Sequence, residues 1–189
     1  MMKRIRVIAL LVVFAALVAC TAARATTLMR MSVEKMARTA EVVVRARCVA
    51  NVTAWDAGEI WTVTTFQIEE TWKGAPGELI TVRLVGGRVG NLTSTVDGVP
   101  RFHTGEDVVL FLERTGRGDF SIVSWMQGTF RIRAERKTGD ESVAQDTAAF
   151  ATYVPETRRF ESSGIRGMRL DALREQVAAA LSAGAGRKP

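Results

Sequence analysis

The fold class this sequence predicts is mainly β: a small closed or partly closed barrel of five to six antiparallel strands. A short N-terminal helix and a C-terminal amphipathic helix flank it. Three observations lead there. Residues Ile60 to Trp72 alternate along one long strand, with Ile60, Thr62, Thr64, Phe66, Ile68 and Trp72 on the inward face. A strand of that length in a small protein bends, and a bent strand shared between two sides closes a barrel. Val108 to Leu112 is an almost unbroken apolar run, the pattern of a central strand. Leu170, Leu173, Val177, Ala180 and Leu181 recur with a 3.6-residue period and mark the C-terminal helix. A two-sheet sandwich would satisfy the same period-two alternation.

The remaining elements follow in order. Ser32 can cap a helix whose first turn carries Glu34, with Met31 placed to pack on Met36; the helix ends near Glu41, where β-branched residues take over. Val42 to Val49 is the first strand, and Val52 to Gly58 reads as a polar turn before the long strand. Lys73-Gly74-Ala75-Pro76-Gly77 makes a sharp connection to a strand over Leu79 to Leu84. Phe120 to Trp125 pairs with Val108 to Leu112, and Gly128 to Ala134 completes the set by alternation. Arg136 to Asp146 is polar, and Thr147 to Tyr153 forms a short helical turn. The resulting boundaries are 28–135 for the barrel, 136–169 for an irregular connection and 170–183 for the terminal helix.

With 189 residues, 47% of them hydrophobic and 24% charged, the chain has room for one domain with a core. Lys3, Arg4 and Arg6 precede thirteen uncharged, mostly aliphatic residues from Val7 to Ala19, a signal-peptide pattern. That run is too short for a membrane-spanning helix, which needs about 20 apolar residues, and no later stretch approaches this length. Two processing sites compete. Ala23-Arg24-Ala25 suits ordinary signal peptidase and gives a signal peptide over 1–25. Leu17-Val18-Ala19-Cys20 resembles a lipobox, which would end the signal at residue 19 and make Cys20 the lipidation site. Either route exports the protein to the periplasm or the extracellular space, free or lipid-anchored to the envelope.

Removal of Lys3, Arg4, Arg6 and Arg24 from the 26 basic residues leaves 22 against 20 acidic ones, a net of +2 instead of +6. Clusters such as Arg131-Ile132-Arg133 then read as solvated faces, and no nucleic-acid partner is expected. Cys48 sits in a strand-like run with no CxxC or Cys-His spacing and reads as a small buried hydrophobe.

The segment from Val85 to Gly105 is long for a loop with little strand pattern, and such loops often bind. Its candidate binding residues are Gly86, Gly87, Arg88, Gly90, Asn91, Arg101 and His103. The glycine spacing matches neither a phosphate-binding GxxxxGK[ST] loop nor a GxGxxG fingerprint. His103 is the single histidine, and a zinc site built from it with Asp97, Glu106 or Asp107 would be atypical. No Ser-His-Asp set, Cys-His pair or HExxH helix is present, so no catalytic residue, metal or cofactor is expected. Trp55, Trp61, Trp72 and Trp125 fit barrel core and end caps better than a ligand platform.

The order of pieces resembles a family of small exported bacterial proteins of no established function. Those pieces are Met31-Ser32-Val33-Glu34, Ala40-Glu41-Val42-Val43-Val44, Thr64 to Gly74, Gly86-Gly87-x-Val89-Gly90, Gly105 to Leu112 and Gln127-Gly128-Thr129-Phe130. The strand-Lys-Gly turn followed by a Gly-Glu-led apolar strand also resembles netrin-like domains, which implies an OB-type barrel. Inhibitors of that class chelate a protease zinc through a free N-terminal cysteine, and that feature does not carry over. Cys20 would be acylated or cleaved away, and the disulfide framework is missing. The function expected is a non-enzymatic cell-envelope binding or protein-interaction module with an envelope or secreted partner. A small periplasmic hydrolase, a protease inhibitor-like module and a structural envelope lipoprotein are the alternatives.

Overall fold

A computed structural model describes residues 29–149, 151–154, 157–162 and 164–185. The expected signal peptide, over 1–25 or 1–19, and the expected lipidation site Cys20 lie outside these residues. Helix α1 spans Val33–Thr39 and starts as its sequence dictates: the Ser32 hydroxyl accepts from the Lys35 amide at 3.2 Å. Hydrogen bonding from its own backbone amide and from the Ser32 side chain holds the Glu34 carboxyl below its ordinary range, which suits a helix N-terminus.

The strands are β1 (Val42–Asp56), β2 (Glu59–Lys73), β3 (Leu79–Val85), β4 (Gly87–Val89), β5 (Leu92–Ser94), β6 (Asp107–Arg114), β7 (Phe120–Ile122), β8 (Thr129–Ala134), β9 (Glu141–Gln145), β10 (Ala151–Val154), β11 (Arg159–Ser162) and β12 (Met168–Arg169). Helix α2, Leu170–Ala185, follows directly. Eight strands form one sheet in the order β1-β2-β3-β7-β6-β8-β9-β12, with β1 also paired to β6. β4–β5 and β10–β11 are separate two-stranded ribbons.

The expected OB-like, netrin-like barrel is therefore corrected. The protein has two helices and a mixed sheet, and the ring of strands that the β1–β6 pairing produces does not close into a barrel. The weak point is the contact between β3 and β7, which is parallel and consists of the single pair Val82↔Phe120. β7 is only three residues long because the chain leaves it at Val123 for a 3-10 turn over Trp125–Gly128. β8, β9 and β12 extend the sheet outward from β6.

Other expectations are corrected in the same way. The supposed turn over Val52 to Gly58 is strand as far as Asp56, and only Ala57 and Gly58 reverse the chain. The segment 136–169, expected to be irregular, supplies β9 to β12, and the helical turn expected over Thr147 to Tyr153 is a 3-10 turn, Asp146–Ala149, running into β10.

The core lies in two layers that share β6. Val109 and Phe111 face α1 and α2, where they meet Met36, Ala37, Val43, Phe130, Leu173 and Val177. Val108, Leu110 and Leu112 face the other way, against Val44, Cys48, Phe66, Val82, Phe102 and Ile122. A strand buried on both faces has no polar alternation, which is why this run is almost continuously apolar. Two buried amides tie the second half of the chain to its start. Gln127 accepts from the Met31 amide at 2.7 Å and donates to the Met29 carbonyl at 2.7 Å, while Gln145 donates to the Gln127 carbonyl at 2.6 Å. Among the described residues no helix is long and apolar enough to cross a membrane.

Candidate functional site

A β-bulge creates the site. β1 pairs with β2 residue for residue from Ala50 to Asp56, but Val49 is an extra residue between the pairs Cys48↔Phe66 and Ala50↔Thr65. One inserted residue reverses the parity of a strand. Cys48 and Asn51, three apart, consequently share one face, and the Asn51 side-chain amide donates to Cys48 Sγ at 3.5 Å. Beyond the bulge that face carries Asn51, Thr53 and Trp55, opposite Thr64, Thr62 and Ile60 of β2. The apolar interior thus gives way to a polar floor.

The floor is ordered by hydrogen bonds. Thr64, fully buried, donates to Asn51 Oδ1 at 2.7 Å, and Asn51 Nδ2 donates to the Phe102 carbonyl at 3.1 Å. Thr62 donates to the Gly86 carbonyl at 2.7 Å and lies 3.3 Å from the Thr53 hydroxyl. Gly86 and Gly87 lead the β4–β5 ribbon across this floor, at φ +95° and +137°. A Cβ on Gly87 would sit 2.4 Å from Thr62 Oγ1 and 2.5 Å from Thr53 Cγ2, and one on Gly86 would sit 2.9 Å from the Ser94 carbonyl. Only glycine permits that approach.

Between ribbon and floor lies a cleft of about 240 Å3, lined by Asn51, Thr53, Thr62, Thr64, Gly86, Gly87, Arg88, Arg101, Phe102 and His103 together with Leu84, Val85 and Pro100. Of the residues singled out from the sequence, Gly86, Gly87, Arg88, Arg101 and His103 converge here. Gly90 and Asn91 do not: they form the tip of the ribbon, where Gly90 adopts φ +58° with open space around it. Of the floor, Thr62 and Thr64 fall on the inward face the sequence predicts, whereas Asn51 and Thr53 do not, because the bulge in β1 conceals their parity. The one available sign was the repeated threonines on the inward face of an otherwise apolar strand.

The wall is braced from behind. Arg131 forms a two-point ion pair with Asp146, at 2.7 and 2.9 Å, donates to the Arg101 carbonyl at 2.7 Å and lies 5.3 Å from the centre of the Phe102 ring. Phe102 in turn packs edge-on against Phe66, with ring centres 4.9 Å apart. Glu106 accepts from the His103 amide at 3.0 Å, lies 3.0 Å from His103 Nδ1 and pairs with Arg131. Burial by itself would raise the Glu106 carboxyl, but the His103 hydrogen bonds and the Arg131 charge outweigh it and hold the group below its ordinary range.

The acids considered beside His103 do not line this cleft: Asp107 pairs with Arg47 at 2.9 Å, Glu106 is engaged as described, and Asp97 is exposed in a turn. Among the described residues no group of three His, Cys, Asp or Glu side chains is arranged to hold a metal ion. Trp61 and Trp72 are covered by the guanidinium groups of Arg83 and Arg174, 4.5 and 5.6 Å from their ring centres. Cys48 is a free, fully buried thiol that burial pushes up from its ordinary range.

No protein-family model matches the chain, and no curated protein matches it. The resemblance to a family of small exported proteins and to netrin-like domains is corrected accordingly, since neither a family match nor a closed barrel stands behind it.

Proposed function

We propose that this protein is an exported, non-enzymatic binding module of the cell envelope, with the cleft beneath the β4–β5 ribbon as its contact surface. The convergence of five of the seven candidate residues of this loop on one polar-floored cleft supports this reading. The floor is preorganised, since its amide and hydroxyl groups are already oriented by Thr64, Asn51 and Gly86, and little ordering is left for a ligand to impose. Release at Ala25 or acylation at Cys20 would place this surface in the periplasm or at the membrane.

The test is amide chemical-shift mapping of the chain beginning at Thr26 against a library of small metabolites and short peptides. Saturable shifts confined to Gly86, Gly87, Arg101 and His103 are the expected outcome. Saturable shifts that map elsewhere would overturn the assignment of the cleft. Robust hydrolytic turnover abolished by one substitution would overturn the non-enzymatic reading. Intact mass from native membrane and soluble fractions then decides between a lipidated chain starting at Cys20 and a free one starting at Thr26.

A further inference from the structure

We infer that the cleft takes a small ligand bearing a carboxylate or phosphate group, with the anion held by Arg88 and Arg101. The inference rests on the binding reading above and adds the chemistry of the ligand.

The first observation is charge. The lining includes Arg88, Arg101 and His103 and no acidic side chain. The second is the state of the two arginines. Arg45, Arg47, Arg83, Arg117, Arg131 and Arg174 all pair with carboxylates. Arg88 and Arg101 have none among the described residues. Arg88 uses only Nε, donating to the Gly90 carbonyl at 3.1 Å. Arg101 uses only one terminal nitrogen, which donates to the Ser94 carbonyl and to Thr95 Oγ1, both at 2.9 Å. Each guanidinium therefore keeps most of its five N–H donors for an external acceptor. Forked donors of this kind match the paired oxygens of carboxylate and phosphate.

The third observation is that the nearby acid does not itself line the cleft. Glu106 is occupied by His103 and Arg131. The fourth concerns the rest of the ligand. Thr62 gives its hydroxyl proton to the Gly86 carbonyl, so in the contact between the two threonines Thr53 is the donor. The lone pairs of Thr53 remain free to accept from a ligand O–H or N–H. Two residues further along the same face stands Trp55, 52% exposed and outside the residues that line the cleft. The ligand this arrangement fits is small and hydroxylated or amide-bearing, with an anionic end.

The experiment uses matched pairs that differ only in the anion. Glucose 6-phosphate is compared with glucose, and N-acetylalanine with N-acetylalaninamide, by amide shift mapping of the Thr26 chain. The expected result is that one anionic member shifts Gly86, Gly87 and Arg101 and binds about tenfold more tightly than its neutral partner. The pair that responds separates phosphate from carboxylate. Raising salt from about 0.05 to about 0.5 M should weaken the binding. Arg88→Gln should weaken it several-fold and Arg88→Lys less. Arg88 is exposed and bonds only within its own turn, so both variants keep the fold, which the unchanged remainder of the spectrum verifies. If neutral and anionic members bind the cleft equally, the anion inference fails while the binding reading survives. If neither anion perturbs the cleft, or both bind elsewhere, the anion inference is overturned.

Discussion

The Lys73 ammonium donates to the carbonyl of Ala37 at 2.8 Å, and it also reaches the carbonyls of Arg38, at 3.1 Å, and Ala40. A residue from the end of β2 thereby caps the last turn of α1, whose carbonyls have no partner within the helix. Burial lowers the Lys73 amine from its ordinary range, against the opposing pull of Glu41. The adjacent Gly74 turns at φ +82°, and a Cβ there would come within 2.6 Å of the Glu41 carbonyl. The Lys-Gly pair is thus a clasp between sheet and helix.

Lys73→Met should lower stability by about 1–2 kcal/mol in urea denaturation, through lost charge-assisted hydrogen bonds to exposed helix carbonyls. Gly74→Ala should cost at least as much, because strain and backbone contact act together. Little change in either variant would show that the clasp does not stabilise the fold.

Gly87→Ala should destabilise far more than Gly90→Ala. Both glycines have positive φ, but only Gly87 lies against the Thr53 and Thr62 side chains. The Gly90 variant isolates the backbone term, about 1 kcal/mol, and the excess in the Gly87 variant measures the close approach. Equal urea midpoints for the two variants would contradict the packing of the ribbon on the floor.

Acid should loosen the cleft wall through Glu106. Its carboxyl is lowered in the folded state, so its contribution is complete above the unfolded value of about 4.3. It is lost as pH falls through the lower folded value. Glu106→Gln should therefore lose less stability than the parent chain between about pH 7 and about pH 3. Identical pH profiles for the two proteins would remove Glu106 from the account.

The Cys48 thiol should resist a water-soluble disulfide reagent in the native state and react fully in denaturant. It is completely buried, and burial raises its ionisation range, so little thiolate is exposed to attack. Reaction should accelerate in parallel with unfolding as urea is added. Fast labelling of the native protein would contradict the packing of Cys48 against Phe66 and Asn51.

Short-range physics made much of the molecule legible. Ser32 declared the start of α1, the period of Leu170 to Leu181 declared α2, and the alternation from Ile60 to Trp72 placed Phe66 and Thr64 inside. Capping, periodicity and turn chemistry depend on residues within a few positions of each other, and they leave their mark on the sequence itself. The glycines and arginines of the loop were legible for the same reason, as backbone freedom and charge are properties of single residues.

Tertiary structure alone decided the rest. The extra residue at Val49 reverses the parity of β1, and no local pattern marks a bulge whose register is set by β2. The single Val82↔Phe120 pair leaves the ring of strands short of a barrel, and its partners are 38 residues apart in sequence. Lys73 finds α1 across a similar reach, 33 to 36 residues. Pairings of this kind are selected by the packing of both core layers at once, so the sequence by itself determined the elements and the composition of the loop. The folded chain decided which of them meet, and so placed Arg88 and Arg101 above a floor of threonines.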